Sequence, residues 1–212
     1  RQLIQRLVCS NPSPGYIYRV ARKFDDNGQG VRGDLGAVVR AILTDYEARS
    51  TTLLAKSEYG HLKEPVVRTA QIIRAFKPRS ITGDWKISNT DTPLGQTPRR
   101  AQTVFNFFSP NFAKSGEVQK SQMVSPEFAI TSETTVITAA NFIRFGVENG
   151  FGSGADIRLD FTEELDLAYN PTTLLNRLNL ILMAGQMSQK RNATTTTYLS
   201  TIPPKHARAR AL

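Results

Sequence analysis

Asn170-Pro171-Thr172-Thr173-Leu174-Leu175-Asn176-Arg177-Leu178-Asn179-Leu180-Ile181-Leu182-Met183-Ala184-Gly185 carries the marks of an amphipathic helix from end to end. Asn170 can accept hydrogen bonds from the free amides of a first turn, and Pro171 suits the first helical position, where no donor is needed. Leu174, Leu175, Leu178, Ile181 and Leu182 then recur at helical spacing, and Gly185 can take the left-handed conformation that closes a helix. The same pattern extends outward from this segment. Ser13-Pro14 opens a helix whose apolar positions are Ile17, Val20, Ala21 and Phe24, ending at Asn27-Gly28. Asp34 caps a second, with Leu35, Val38, Val39, Ile42 and Leu43 as its stripe. Glu64-Pro65 starts a third, with Val66, Ala70, Ile73 and Phe76 inward and Lys77-Pro78 closing it.

Arg1-Gln2-Leu3-Ile4-Gln5-Arg6-Leu7-Val8 places apolar residues at 3, 4, 7 and 8, so the chain is expected to begin inside a helix. At the other end Lys205-His206-Ala207-Arg208-Ala209-Arg210-Ala211-Leu212 reads as a helix that stops without a cap. Ser125-Pro126-Glu127 predicts a helix running to Glu148 or Asn149. Its part at 130–138 is rich in β-branched residues and also admits a strand, but Val136, Ile137, Ala140, Phe142 and Ile143 favour the helical period. Residues 78–125 hold no sustained period and are expected to be a long irregular connection. Gly150, Gly152 and Gly154 form a joint before the last helices. The expected fold class is therefore all-α, an irregular multi-helix assembly of six or more helices with long loops, truncated at both ends.

Composition bounds the chemistry. The 212 residues are 40% hydrophobic and 21% charged, which excludes wholesale disorder. The longest apolar run, Leu180 to Ala184, is far short of the roughly 18 residues a membrane span needs. One cysteine, Cys9, and two histidines, His61 and His206, leave almost no soft metal ligands, so neither a metal site nor a bound cofactor is expected. The net charge of +9 is spread along the chain rather than gathered in a stripe, which argues against a nucleic-acid partner.

Several short patterns invite sharper readings. Gly28-Gln29-Gly30-Val31-Arg32-Gly33 matches a dinucleotide-binding turn, but the preceding residues 22–27 read as the polar end of a helix rather than a buried strand, so an interhelical turn is expected. Asp25, Asn27 and Gln29 imitate a calcium loop whose twelfth position is Gly36 where a bidentate Glu is required. Arg32-Gly33-Asp34 spells an adhesion tripeptide, and Asp34 is better used as a cap. Asp156, Asp160 and Glu163, with Glu164 and Asp166, could do acid–base work or welcome a helix N-terminus. His61 reads as a surface residue in a polar linker. Val104, Phe105, Phe107 and Phe108 could form a binding platform, but Val104, Phe107 and Phe108 fall on one helical face, so core packing is expected. Trp85 stands among polar residues with Lys86, Arg99 and Arg100 nearby, where it can pack on its own core or meet a partner.

The chain as a whole resembles the bacterial family catalogued as domain of unknown function 1800. The resemblance rests on Arg1 to Val8 followed by Ser10-Asn11-Pro12-Ser13-Pro14, on Gly30-Val31-Arg32-Gly33-Asp34-Leu35 with Val38-Val39-Arg40-Ala41-Ile42-Leu43, and on Lys63-Glu64-Pro65-Val66-Val67-Arg68. It continues through Val104-Phe105-Asn106-Phe107-Phe108-Ser109-Pro110 and Ser125-Pro126-Glu127-Phe128 to the terminal Lys205 to Leu212 block. The resemblance implies that residues 1–212 are the C-terminal part of one larger helical domain, from an exported bacterial protein of the periplasm or cell surface. It also implies another exported protein, encoded nearby, as partner. No activity, cofactor or catalytic residue comes with the family. The expected role is a helical scaffold or protein-binding module without catalysis of its own, with Trp85, Lys86, Arg99 and Arg100 as the binding residues. The alternative is part of an exported hydrolase using Asp156, Asp160 and Glu163.

Overall fold

Side-chain caps set where the longer helices begin. Ser13 Oγ accepts from the Tyr16 amide, Asp34 from Ala37, Asn170 from Thr172 and Thr173, and Ser188 from Arg191. The computed structural model describes residues 1–202, so the helix expected at 205–212 lies outside the described residues. In chain order the elements are α1 (Gln2–Leu7), α2 (Pro14–Asp25), α3 (Leu35–Thr44), α4 (Tyr46–Arg49), α5 (Thr51–Leu54), α6 (Pro65–Ala75), β1 (Arg79–Ser80), α7 (Asp91–Leu94) and α8 (Glu117–Lys120). A 3-10 turn at Pro126–Ile130 precedes α9 (Glu133–Asn149), and another at Ser153–Ala155 precedes β2 (Ile157–Arg158). α10 (Thr162–Leu167), α11 (Pro171–Met183) and α12 (Gln189–Thr201) follow. The protein is predominantly helical with many loops, as expected. The chain divides into two compact units, Arg1–Glu64 with Pro98–Thr134, and Pro65–Thr97 with the chain from Thr135 onward.

The first unit packs α1, α2 and α3 around Ile4, Cys9, Tyr16, Val20, Val38 and Ile42. Tyr16 is fully buried and donates its hydroxyl to the Ile42 carbonyl at 2.5 Å, which joins α2 to α3. Because Tyr16 fixes the rotation of α2, the expected stripe shifts: Ala21 and Phe24 are exposed, and on α3 Leu35, Val39 and Leu43 face outward while Val38 and Ile42 are buried. A polar belt closes the joint. The Arg19 guanidinium grips Asp45 at 2.7 and 2.8 Å and Glu47 at 2.9 Å, and Ser13 Oγ donates to Glu47 at 2.6 Å. Burial opposes the charge on Glu47, but Ser13 and Arg19 outweigh it and hold its carboxyl below the usual range. Burial pushes the Cys9 thiol up to about 11, which leaves it inert.

Two expectations in this unit fail for local reasons. Val104, Phe107 and Phe108 lie on turns rather than on a helix. Asn106 adopts φ 72° and Thr103 Oγ1 takes the Phe105 amide, so the helical period never starts and Val104 is left 96% exposed. Phe108 alone of the three is fully buried. The Ser125-Pro126 signal yields only the 3-10 turn. Ser125 accepts the Lys114 amide instead of capping, and the helix restarts at Glu133.

In the second unit Phe76, Leu174 and Leu178 form one cluster, with the Phe161 ring tilted against that of Phe76 at 4.9 Å between centroids, and Ile73, Phe151 and Ile157 form another. The expected stripe of α11 is buried at Leu174, Leu175 and Leu178 and half-buried at Ile181 and Leu182. On α6 Thr69 takes the buried place expected for Ala70. On α9 Val136, Ile137 and Ala140 are exposed, because Ala139 and Gly146 form the face that packs. Two further elements carry little sequence signal. β1 and β2 pair antiparallel, Arg79 with Arg158 and Ser80 with Ile157. α12 contains four consecutive threonines, poor helix formers whose cost is met by packing on α11, where Leu199 is buried.

Candidate functional site

The three glycines after α9 turn the chain back on itself. Gly150, Gly152 and Gly154 all have positive φ and carry it into β2, which brings Asp156 beside β1. Asp156 accepts Ser80 Oγ at 2.6 Å and the Thr82 amide at 2.8 Å, and these bonds hold its carboxyl below the usual carboxylate range. Asp160 accepts both the hydroxyl (2.5 Å) and the amide (3.0 Å) of Thr162 and meets Arg79 at 3.1 Å. Its pKa is lowered by Thr162 first and by Arg79 less. Glu163 bridges Lys77 and Arg177, and is lowered chiefly by Lys77. Arg177 also holds the buried Glu164 at 2.5 Å. Glu163 and Glu164 occupy the first turn of α10, as their positions suggested. The structure thus brings Asp156, Asp160 and Glu163 into one unit but gives each its own structural donors. A lowered pKa keeps a carboxylate charged, which suits a hydrogen-bond anchor and not a proton donor at neutral pH. Among the described residues no group of three or more His, Cys, Asp or Glu could hold a metal.

What Asp156 anchors is the turn that presents Trp85. Ser80 Oγ, which donates to Asp156, also lies 2.9 Å from the Asp84 carbonyl. On the far side, a Cβ on Gly152 would come within 2.8 Å of the Lys86 carbonyl, so the backbone after Trp85 lies flat against Gly152. The turn is braced at both ends, and Trp85 emerges from it 57% exposed. Of the other binding residues expected from sequence, Lys86 is exposed in the same turn, whereas Arg99 and Arg100 are exposed in the first unit, Arg99 at φ 65°.

In the first unit the glycine turn at 28–33 is interhelical, with no phosphate-binding geometry. Asp26 already accepts the amides of Gly28 and Gly30 at 2.8 and 2.9 Å, and Asn27 accepts that of Gln29 while donating to Asp34. The amides a pyrophosphate would use are thus engaged by Asp26 and Asn27, and of the calcium-loop positions Asn27 is spent on those amides while Asp25 faces Arg32.

His61 is an exposed residue outside any helix or strand, as expected, but its side chain turns inward. Its side chain is only 24% exposed and Nδ1 lies 3.2 Å from Glu127 Oε1. Glu127 is 2% exposed and lines a cavity of about 220 Å³ together with Leu3, Gln5, Arg6, Phe105 and Phe108. Neither Gln5 nor Glu127 is marked by the sequence as a candidate site residue. Among the described residues no helix is long and apolar enough to cross a membrane.

A family model described as "Protein of unknown function (DUF1800)" matches residues 1–212. No curated protein and no solved structure matches the chain.

Proposed function

The chain belongs to the DUF1800 family, described only as proteins of unknown function, and from that premise we propose that it is a helical protein-binding module without chemistry of its own. The observation that carries this reading is Trp85, 57% exposed on a turn fixed by Ser80, Asp156 and Gly152. A large aromatic held in place loses little entropy on contact, which is what hot spots at interfaces require. Lys86 extends the same surface, and Arg99 and Arg100 offer a second in the other unit. The partner is another exported protein, encoded nearby, and the setting is the periplasm or cell surface, both of which rest on the family resemblance.

The alternative, a share in a hydrolase, draws support from the grouping of Asp156, Asp160 and Glu163. Their lowered pKa values and the donors each already holds favour the structural role. The deciding experiment uses the full-length gene product and the neighbouring gene's protein. Trp85→Ala is expected to weaken their association by about 30-fold, the factor equivalent to a 2 kcal/mol hot spot. Asp160→Asn is expected to change no turnover on glycan or ester substrates. Loss of turnover in Asp160→Asn, with association intact in Trp85→Ala, overturns the reading in favour of the enzyme. Recovery of the native protein from the cytoplasmic fraction refutes the setting.

A further inference from the structure

We propose that the cavity bounded by α1, the turns at 104–110 and the start of the 3-10 turn at Pro126 binds a small organic cation, an ammonium or guanidinium on a short alkyl chain. Among the described residues, the side-chain atoms buried without a hydrogen-bond partner are Gln5 Oε1 and Glu127 Oε2, and both residues line this cavity. Their residues are 3% and 2% exposed. An orphaned buried acceptor is costly, and a carboxylate oxygen most of all, so two on residues that line one cavity mark a place where a donor is missing.

The chemistry of that donor follows from what already surrounds it. Gln5 Nε2 donates to the Ser10 carbonyl at 2.9 Å and to the Pro110 carbonyl at 3.2 Å, which fixes the amide, since the flipped form would set oxygen against oxygen. Oε1 is therefore an acceptor. On Glu127, Oε1 faces His61 Nδ1, and Oε2 is left over. The cation in the lining, Arg6, does not serve it. Arg6 is engaged by Glu64 at 2.9 Å, by the Phe105 carbonyl at 3.2 Å and by the Phe108 ring at 4.1 Å. The missing partner thus needs at least two polar hydrogens and, facing a carboxylate, a positive charge. Water meets the first need and not the second. The same two acceptors repel an anion. About 220 Å³ leaves room for a few carbons beside the charged head, against Leu3 and the half-exposed ring of Phe105, whose face can also attract the cation. This site lies wholly in the first unit and does not rest on the role of Trp85.

The test is isothermal titration of the full chain with n-butylammonium and n-butylguanidinium, beside 1-pentanol as the neutral probe and butyrate as the anion. The expected result is saturable binding of at least one cation, at least tenfold tighter than 1-pentanol, and no binding of butyrate. Glu127→Gln should weaken the cation at least tenfold. Val104→Lys, on the rim at a 96% exposed position, should weaken it several-fold by repulsion without touching the fold, and so decides the matter should Glu127→Gln not fold. Cations that bind no better than 1-pentanol mean that water alone fills the cavity and overturn the proposal. So does cation binding unchanged by Val104→Lys and by any folded Glu127→Gln.

Discussion

Leu178 and Leu180 stand two residues apart on α11 and present opposite environments, 6% exposed in the core with Phe76 and Leu174 against 68% exposed. The same substitution at both sites isolates burial from helix propensity. Leu178→Asp removes a buried leucine, about 2–5 kcal/mol for truncation alone. It also places a carboxylate among apolar groups, at a further cost of about 1–3 kcal/mol or more. The sum, at least about 3 kcal/mol, is a large share of the whole stability of a small domain, about 5–15 kcal/mol. Leu180→Asp gives up little burial and should stay within about 1 kcal/mol of the parent. Urea unfolding followed by tryptophan fluorescence is well suited, because Trp85, the one tryptophan in the chain, belongs to the same unit as α11. With a slope of about 1–2 kcal/mol per molar urea, Leu178→Asp should lower the midpoint by at least about 1.5–3 M or leave the unit unfolded in water. A Leu178→Asp midpoint within half a molar of the parent, or equal losses at both positions, would refute the assignment of this face to the core.

Three further outcomes are expected. Gly146→Ala places a methyl 2.1 Å from the ring of the buried Phe151; overpacking of about 1–3 kcal/mol should outweigh the gain of up to about 1 kcal/mol in helix propensity, and a raised melting temperature would contradict it. The Asp45 carboxyl is held below its ordinary value by Arg19 against the pull of burial, so its contribution is fully present above about pH 4 and fades as pH falls through the folded value; Asp45→Asn should flatten the acid limb of a stability–pH profile, and identical limbs would show that the pair is not felt. Asp156→Asn should loosen the turn at 80–84 and lower the fluorescence anisotropy of Trp85, and an unchanged anisotropy would show that the turn holds without the charge.

Helix starts were legible because capping is local chemistry. Ser13, Asp34 and Asn170 each reach an amide two or three residues ahead, and that reach is written in the sequence. Which face a helix buries is not local. Leu35, Val39 and Leu43 match Val38 and Ile42 in hydrophobicity, and only the docking of Tyr16 on the Ile42 carbonyl selects one set over the other. The aromatic run at 104–108 failed for a related reason. Its apolar spacing suits a helix, but Thr103 and Asn106 close a tight turn within four residues, and local hydrogen bonds of that kind compete with helix formation before any packing can act.

The acid group shows how the same residues change meaning with distance information. In sequence, Asp156, Asp160 and Glu163 are a row of carboxylates. In space each faces a donor from a distant segment, Ser80 and Thr82, Arg79, or Lys77, so their clustering reports how β1 and its flanks are tied to β2 and α10. Gln5 and Glu127 are the converse. Gln5 sits between Ile4 and Arg6 on α1, and Glu127 follows a Ser-Pro pair that reads as a cap. Nothing local distinguishes them from surface positions. Their buried acceptors acquire meaning only together, when chain segments far apart in sequence enclose one cavity and supply no donor to it. A titration of that cavity therefore interrogates a feature that tertiary structure alone creates.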